Sequence, residues 1–142
     1  MSAAKPFVHA ERVRFGHLDA MRHLNNVEFL RFFETARIEF LRDIVPTHDP
    51  ANPEGNFGII FAECHINYRS PGHYDELIET ELSIGDVRRS SFRVEFVMRV
   101  GDRLLAEGWG ALVGFDYVTQ RAAPLPEDVR ATLTARMVPR ER

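Results

Sequence analysis

Apolar residues recur along the chain with two different periods. From Val27 to about Ile44 the period is helical. Phe29, Phe33, Ala36, Phe40 and Ile44 fall on one face, while Glu28, Arg31, Thr35, Glu39 and Arg42 form a polar stripe. Leu30 and Leu41 widen the apolar arc, so the spacing predicts a helix ~27 Å long, buried over more than half its circumference. Asn25 is a good N-cap, Glu28 three residues on completes a capping-box pattern, and Pro46 stops the helix.

Elsewhere the period is two. Phe7 to Phe15 alternates loosely, with Phe7, Val13 and Phe15 among charges, and reads as a first strand. Phe57 to Tyr68 sets Ile60, Ala62, Cys64, Ile66 and Tyr68 on one face. Ser70-Pro71-Gly72-His73 carries Pro and Gly where a type II turn wants them. Leu77 to Ile84 turns Ile78, Leu82 and Ile84 inward and Glu79, Glu81 and Ser83 outward. Phe92, Val94, Phe96, Met98 and Val100 alternate with Arg93, Glu95 and Arg99, and Gly101-Asp102 reverses the chain. Leu104 to Phe115 is the last long strand, its Gly108, Gly110 and Gly114 marking bends or close backbone approaches. Thr47 to Asn56 is an irregular loop, Pro126 to Met137 a short closing helix, and both ends, Met1 to Lys5 and Pro139 to Arg142, are frayed. One strand, a long helix and four consecutive strands predict an α+β architecture, with a curved antiparallel meander wrapped around the helix.

A length of 142 residues fits a single domain spanning 1–142. With 44% hydrophobic and 27% charged residues the chain is neither a disordered tail, nor a collagen-like fibre, nor a membrane bundle. Eleven Phe promise a sizeable core. A net charge of −3 gives no global field for nucleic acid or an anionic membrane, so any anion site is local. The lone cysteine, Cys64, excludes an internal disulfide and sits on an apolar face, where it reads as core rather than nucleophile. No apolar leader opens the chain and no stretch approaches ~18 apolar residues, so a soluble, cytoplasmic protein is expected.

The chemistry concentrates between Phe15 and Leu41. A polar loop with His17, Asp19 and His23 runs straight into a capped helix start, where the backbone N–H groups of Asn26 and Val27 and the helix dipole are available to an anion. A developing oxyanion would be stabilised there, with Asp19 upstream as base or nucleophile. The residue types alone allow two other readings. His17, Asp19 and His23 could converge on a metal, although no HExxH-type spacing is present. They could also simply satisfy the loop's own backbone. Arg37 falls within the apolar arc and would pair with Glu34 or a strand carboxylate.

The run from Phe15 to Leu30, with Gly16-His17-Leu18-Asp19 and His23-Leu24-Asn25-Asn26 inside it, is followed by Phe33-Glu34-Thr35-Ala36-Arg37. Together they resemble the signature of the 4-hydroxybenzoyl-CoA thioesterase family of hotdog-fold proteins, and within it the acyl-CoA thioesterase branch that carries His-Leu-Asp and His-Val-Asn-Asn. Ile66-Asn67-Tyr68-Arg69-Ser70-Pro71 is similar to a strand pattern of that branch, and the likeness covers roughly Val8 to Arg121. The resemblance implies a long helix in a curved five-stranded antiparallel sheet, a homodimer or homotetramer with its sites at the dimer interface, and hydrolysis of fatty or aromatic acyl-CoA without metal or other cofactor. It implies Asp19 as the catalytic carboxylate, the Asn26 N–H as the donor to the thioester carbonyl, and His17 or His23 as residues that tune Asp19 or place water. Arg88-Arg89-Ser90-Ser91-Phe92 resembles a segment that contacts coenzyme A phosphates, so Arg88, Arg89 and Ser91 are expected to bind substrate. Glu63 and His65, on one side of their strand, would line the site across the interface. Two positions depart from the family pattern: His17 where an Asp is common, and Arg22 where a Gly often precedes the histidine. A hotdog hydratase and a non-catalytic acyl-CoA binder are the alternatives.

Overall fold

The structure, a computed structural model, describes residues 6–45 and 58–137. The Pro46 stop, the loop 47–56, the strand start at Phe57 and both frayed ends lie outside the described residues. The element order is β1 (Phe7–Arg12), α1 (Asn26–Ile44), β2 (Ile59–Tyr68), β3 (Leu77–Val87), β4 (Ser91–Val100), β5 (Arg103–Asp116), a two-residue β6 (Arg121–Ala122) and α2 (Glu127–Ala135). The strands form one antiparallel sheet in the order β1-β3-β4-β5-β2, with β6 added to β5.

The helix forms where the 3.6-residue period requires it. Phe29, Phe32, Phe33, Ala36, Phe40, Leu41 and Ile44 are all buried, and they meet Ile78, Leu82 and Ile84 of β3 and Phe92, Val94, Phe96 and Met98 of β4 in one core. Phe33 lies at its centre, stacked on Phe96 with ring centroids 4.3 Å apart and edge-on to Phe61 at 6.2 Å. Gly110 makes this possible, since a Cβ there would come within 2.8 Å of the Phe33 ring. At Gly108 a Cβ would collide with the His65 carbonyl of β2, so that glycine sets how closely the two strands approach.

Several expectations need correction. The four later strands are not a simple meander. Tight turns make β3, β4 and β5 successive neighbours, but residues 69–76 are too many for a tight hairpin. They carry the chain past the ends of β5 and β4, leaving β2 on the far edge beside β5. The turn at 70–73 is not type II: among the described residues Gly101 is the glycine with positive φ, whereas Gly72 is buried against Leu24. The left-handed residue of this connection is Asp75, at φ 66°.

The alternation in β2 also breaks. A bulge between Phe61 and Glu63 resets the period. Phe61 therefore joins Cys64, Ile66 and Tyr68 on the helix side, in place of Ile60 and Ala62. The first strand ends at Arg12, and Phe15–His17 forms a 3-10 turn that leaves Phe15 77% exposed. Leu30 is 39% exposed rather than part of the buried arc. No capping box closes on Glu28, because the Asn25 N–H is already bound to the His17 carbonyl at 3.0 Å. Glu28 is instead half-buried, with Oε2 unpartnered among the described residues.

Candidate active site

The loop between β1 and α1 is a small hairpin. Leu18 and Leu24 form an antiparallel bridge. On one side of it the Asp19 N–H donates to the His23 carbonyl at 2.9 Å, and on the other the Asn25 N–H donates to the His17 carbonyl. This pairing sets Asp19 at the tip of a hairpin whose second arm runs directly into α1. The Asp19 carboxylate closes the tip: its Oδ1 accepts the N–H groups of Met21, at 2.9 Å, and His23, at 3.2 Å. Oδ2 has no hydrogen-bond partner among the described residues, so one oxygen anchors the loop and the other is left free of it.

The helix start is fixed with similar economy. The Asn25 side chain accepts the Val27 N–H at 3.2 Å, and its carbonyl takes the Glu28 N–H at 2.8 Å. The Asn26 N–H is left without a partner among the described residues, at the positive end of the helix dipole. Tyr68, from the end of β2, donates its hydroxyl to the Asn26 carbonyl at 3.2 Å and presents its ring edge-on to Phe29 at 5.2 Å. Burial raises the Tyr68 phenol pKa, and nearby Cys64 pushes the same way. The phenol therefore remains a donor through neutral pH.

The connection 69–76 buttresses the loop. Leu24 N–H donates to the Gly72 carbonyl at 2.8 Å, and Val13 N–H to that of Glu76 at 2.8 Å. A cleft of 610 Å³ opens beside Asp19, lined by Phe15, Leu18, Arg22 and Tyr74. Arg22 stands at φ 63°, in the left-handed region that favours glycine. Its position explains why glycine suits this site, and the guanidinium adds a cation to the cleft wall.

The two imidazoles are not on the carboxylate. His17 Nδ1 accepts the Arg14 N–H at 2.9 Å, and its ring lies edge-on to Phe32 at 5.0 Å. His23 reaches Asp19 through its backbone N–H and carbonyl, while its ring meets that of His73 at 5.4 Å. Among the described residues no three metal-ligating side chains converge.

The other expected substrate residues divide between two places. Glu63, Arg88 and Ser91 share a polar cavity of 160 Å³ with Asp86 and Arg93. Arg89 is exposed in the same hairpin, its carbonyl holding the Leu125 N–H at 2.9 Å. His65 lies on the sheet face turned away from α1, stacked 6.0 Å from Trp109, whose ring also carries the Arg93 guanidinium at 3.7 Å. Asp19 lies where β3 begins and the Arg88–Arg89 hairpin where it ends. The 11 residues of β3 separate them by about 35 Å at ~3.3 Å per residue.

Between α1 and β2, the Arg37 guanidinium sits 4.8 Å over the Phe61 ring, and its Nε is buried without a hydrogen-bond partner among the described residues. Burial lowers the Arg37 pKa, while Glu34 and Cys64 oppose the shift without forming an ion pair. Burial raises the Cys64 thiol pKa, against a smaller lowering from Arg37, so the sulfur stays protonated as a packing group. Sequence reasoning missed Tyr68 and Tyr74 as site residues. Tyr68 counted as an apolar-face position, and the signal available was its hydroxyl at the end of a strand.

Residues 13–133 match the family model of the thioesterase-like superfamily. The long-chain acyl-CoA thioesterase FadM of Escherichia coli strain K12 is 26% identical over 129 residues, covering 86% of this chain and 92% of that protein. A thioesterase superfamily structure from Jannaschia sp. CCS1 is 29% identical with a TM-score of 0.79, covering 94% of this chain and 84% of the other. A 1,4-dihydroxy-2-naphthoyl-CoA thioesterase from Synechocystis shares the fold at a TM-score of 0.80 and 18% identity, covering 91% and 96%. An antiparallel sheet packed on one long helix, a carboxylate held in the hairpin that leads into that helix, and a match spanning most of the chain agree: this protein is a hotdog-fold member of the thioesterase-like superfamily.

Proposed function

We propose that the chain hydrolyses thioesters of coenzyme A with fatty or aromatic acids, and that two copies build each site. One observation supports the chemistry: the Asp19 carboxylate is anchored by two backbone N–H groups in the hairpin that runs directly into the unpartnered Asn26 N–H at the start of α1. The anionic Oδ2 deprotonates the attacking water or attacks the carbonyl carbon itself. The carbonyl oxygen, as it gains charge, accepts the Asn26 N–H in the field of the helix dipole. Collapse of the tetrahedral intermediate breaks the C–S bond and expels the thiolate of coenzyme A, which takes up a proton; where Asp19 itself attacks, the acyl group is left on its carboxylate as a mixed anhydride, and water hydrolyses that to the free acid. His17 and His23 act as framework, one through its ring on Arg14 and the other through its backbone on Asp19. No step requires a metal or a redox cofactor.

The edge strand supports the dimer. Among the described residues β2 is paired on one side only, and it exposes Ile60, Phe61 and Tyr68 along that edge. Two such edges meeting about a two-fold axis run antiparallel. The Ile59 end of one β2 then lies beside the Tyr68 end of the other. That arrangement brings the second copy's Arg88–Arg89 hairpin, with Ser91 and Glu63, toward the Asp19 and Asn26 of the first. Guanidinium forks there suit the phosphates of coenzyme A.

Release of free thiol from a panel of aliphatic and aromatic acyl-CoA thioesters tests the reading. The chain is expected to turn over at least one class; acyl-CoA binding without thiol release would make it a binder, and hydration of an enoyl-CoA without thiol release a hydratase. In the same assay, Arg88→Ala with Arg89→Ala is expected to raise KM for acyl-CoA and leave kcat largely intact, since binding common to ground and transition states is lost. An acyl-pantetheine, which lacks the nucleotide phosphates, should be unaffected. Equal losses on both substrates would contradict phosphate binding by this hairpin.

A further inference from the structure

We propose that Tyr68 is a positioning residue for the oxyanion donor, tying the edge strand β2 to the start of α1 through its hydroxyl bond to the Asn26 carbonyl. The inference rests on the thioesterase reading above and extends it to a residue outside the loop. A helical carbonyl has two lone pairs, and its intrahelical bond uses only one. Tyr68 fills the second at Asn26, across 42 positions of sequence. The Asn26–Val27 peptide is thereby held at both ends, because its N–H is given to the Asn25 side chain and its C=O receives the phenol. The preceding peptide is held at its carbonyl by the Glu28 N–H, and its only free group is the Asn26 N–H. Tyr68 therefore closes a set of bonds that aims one donor and leaves it unoccupied.

The ring is placed for this task by packing. Tyr68 is the last residue of β2, in register with Ala106 of β5, and its ring stands edge-on to Phe29. It remains 43% exposed, so its contribution to the core is modest. Loss of the hydroxyl alone frees the Asn26 peptide to rock, while the ring keeps its contact with Phe29. Preorganisation is what makes such a donor effective, so the loss falls on the transition state and not on substrate binding.

Tyr68→Phe in the full chain tests the proposal, assayed on butyryl-, octanoyl- and palmitoyl-CoA together with an aromatic acyl-CoA. The expected result is a drop in kcat of about tenfold, smaller than the ~10²-fold for removing an oxyanion donor outright. The drop should be the same for every acyl group turned over by the unsubstituted chain, with KM unchanged. The Val27 amide resonance of the free protein should also shift, because the carbonyl of its peptide loses a hydrogen bond. A raised KM that depends on acyl length would make Tyr68 a pocket wall and overturn the proposal. So would an unchanged kcat, or a lower melting temperature with turnover per folded molecule preserved. If the unsubstituted chain releases no thiol from any substrate, the thioesterase reading fails, and the catalytic role of Tyr68 with it. Turnover by that chain combined with a silent Tyr68→Phe overturns only the tether.

Discussion

Asp19→Asn is expected to lower kcat for thioester hydrolysis by ~10²-fold or more, the scale of general-base or nucleophilic chemistry lost from a reacting site. The structure gives a reason why stability should hardly move. The bonds that close the loop tip use Oδ1 as an acceptor for the Met21 and His23 N–H groups, and an amide oxygen can accept both. What Asn cannot supply is the second, anionic oxygen. Asp19→Ala separates the two roles, since it removes the loop anchor as well and should cost about 1 kcal/mol for each hydrogen bond lost. Turnover and thermal unfolding measured on one preparation of each variant decide the matter. Near-normal turnover in Asp19→Asn would take the carboxylate out of the mechanism, and equal stability of Asp19→Asn and Asp19→Ala would show that its loop bonds matter little.

The second large effect lies in the core. Phe33→Ala is expected to destabilise the fold by about 3–5 kcal/mol, because a fully buried ring leaves a cavity that rigid neighbours cannot fill. Its partners are Phe96, Phe61 and the open face of Gly110. Gly110 makes the prediction sharper. A Cβ added there would crowd both the Phe33 and the Phe61 rings. Phe61 is exposed and can turn aside, whereas Phe33 is buried and cannot. Gly110→Ala alone should therefore cost about 1–3 kcal/mol by overpacking. In the Phe33→Ala background the same methyl enters empty space, and its cost should fall by about 1 kcal/mol or more. Denaturant unfolding of the four proteins measures the coupling. Strict additivity would mean that the two residues do not share this space.

The helix was legible because one period runs through the 19 residues of α1, and Asn25 marks where it starts. The strands were legible for the same reason, and β3 and β4 turn the side chains inward that their alternation required. The sheet order was not, because strand alternation says which side chains face inward but not which strand lies beside which. Eight residues separate β2 from β3 at 69–76, and only the buried packing of Gly72 on Leu24 shows that they bridge the sheet end instead of closing a hairpin. The bulge in β2 was equally silent, since Ile60, Phe61 and Ala62 are all apolar and allow either register.

At the site, Asp19 and the helix start could be read from their spacing and from the family signature, because loop and cap are adjacent in sequence. Tyr68 could not, because its partner is 42 positions away and its hydroxyl looks like any strand tyrosine. Spacing alone does not say where the imidazoles of His17 and His23 turn: one accepts the Arg14 N–H and the other meets the ring of His73.

The central claim is that two copies share one thioesterase site, with Asp19 and Asn26 from one and the Arg88–Arg89 hairpin from the other. A hybrid dimer tests it directly, pairing an Asp19→Asn chain with an Arg88→Ala, Arg89→Ala chain, each carrying a different affinity tag. If the site is shared, one of the two sites in the hybrid is wholly unsubstituted and the other has lost both parts. The hybrid should then show about half the kcat of the parent protein with the parent KM for acyl-CoA. Turnover at only the raised KM of the arginine variant would contradict the account, because it would mean that each chain supplies both parts of its own site.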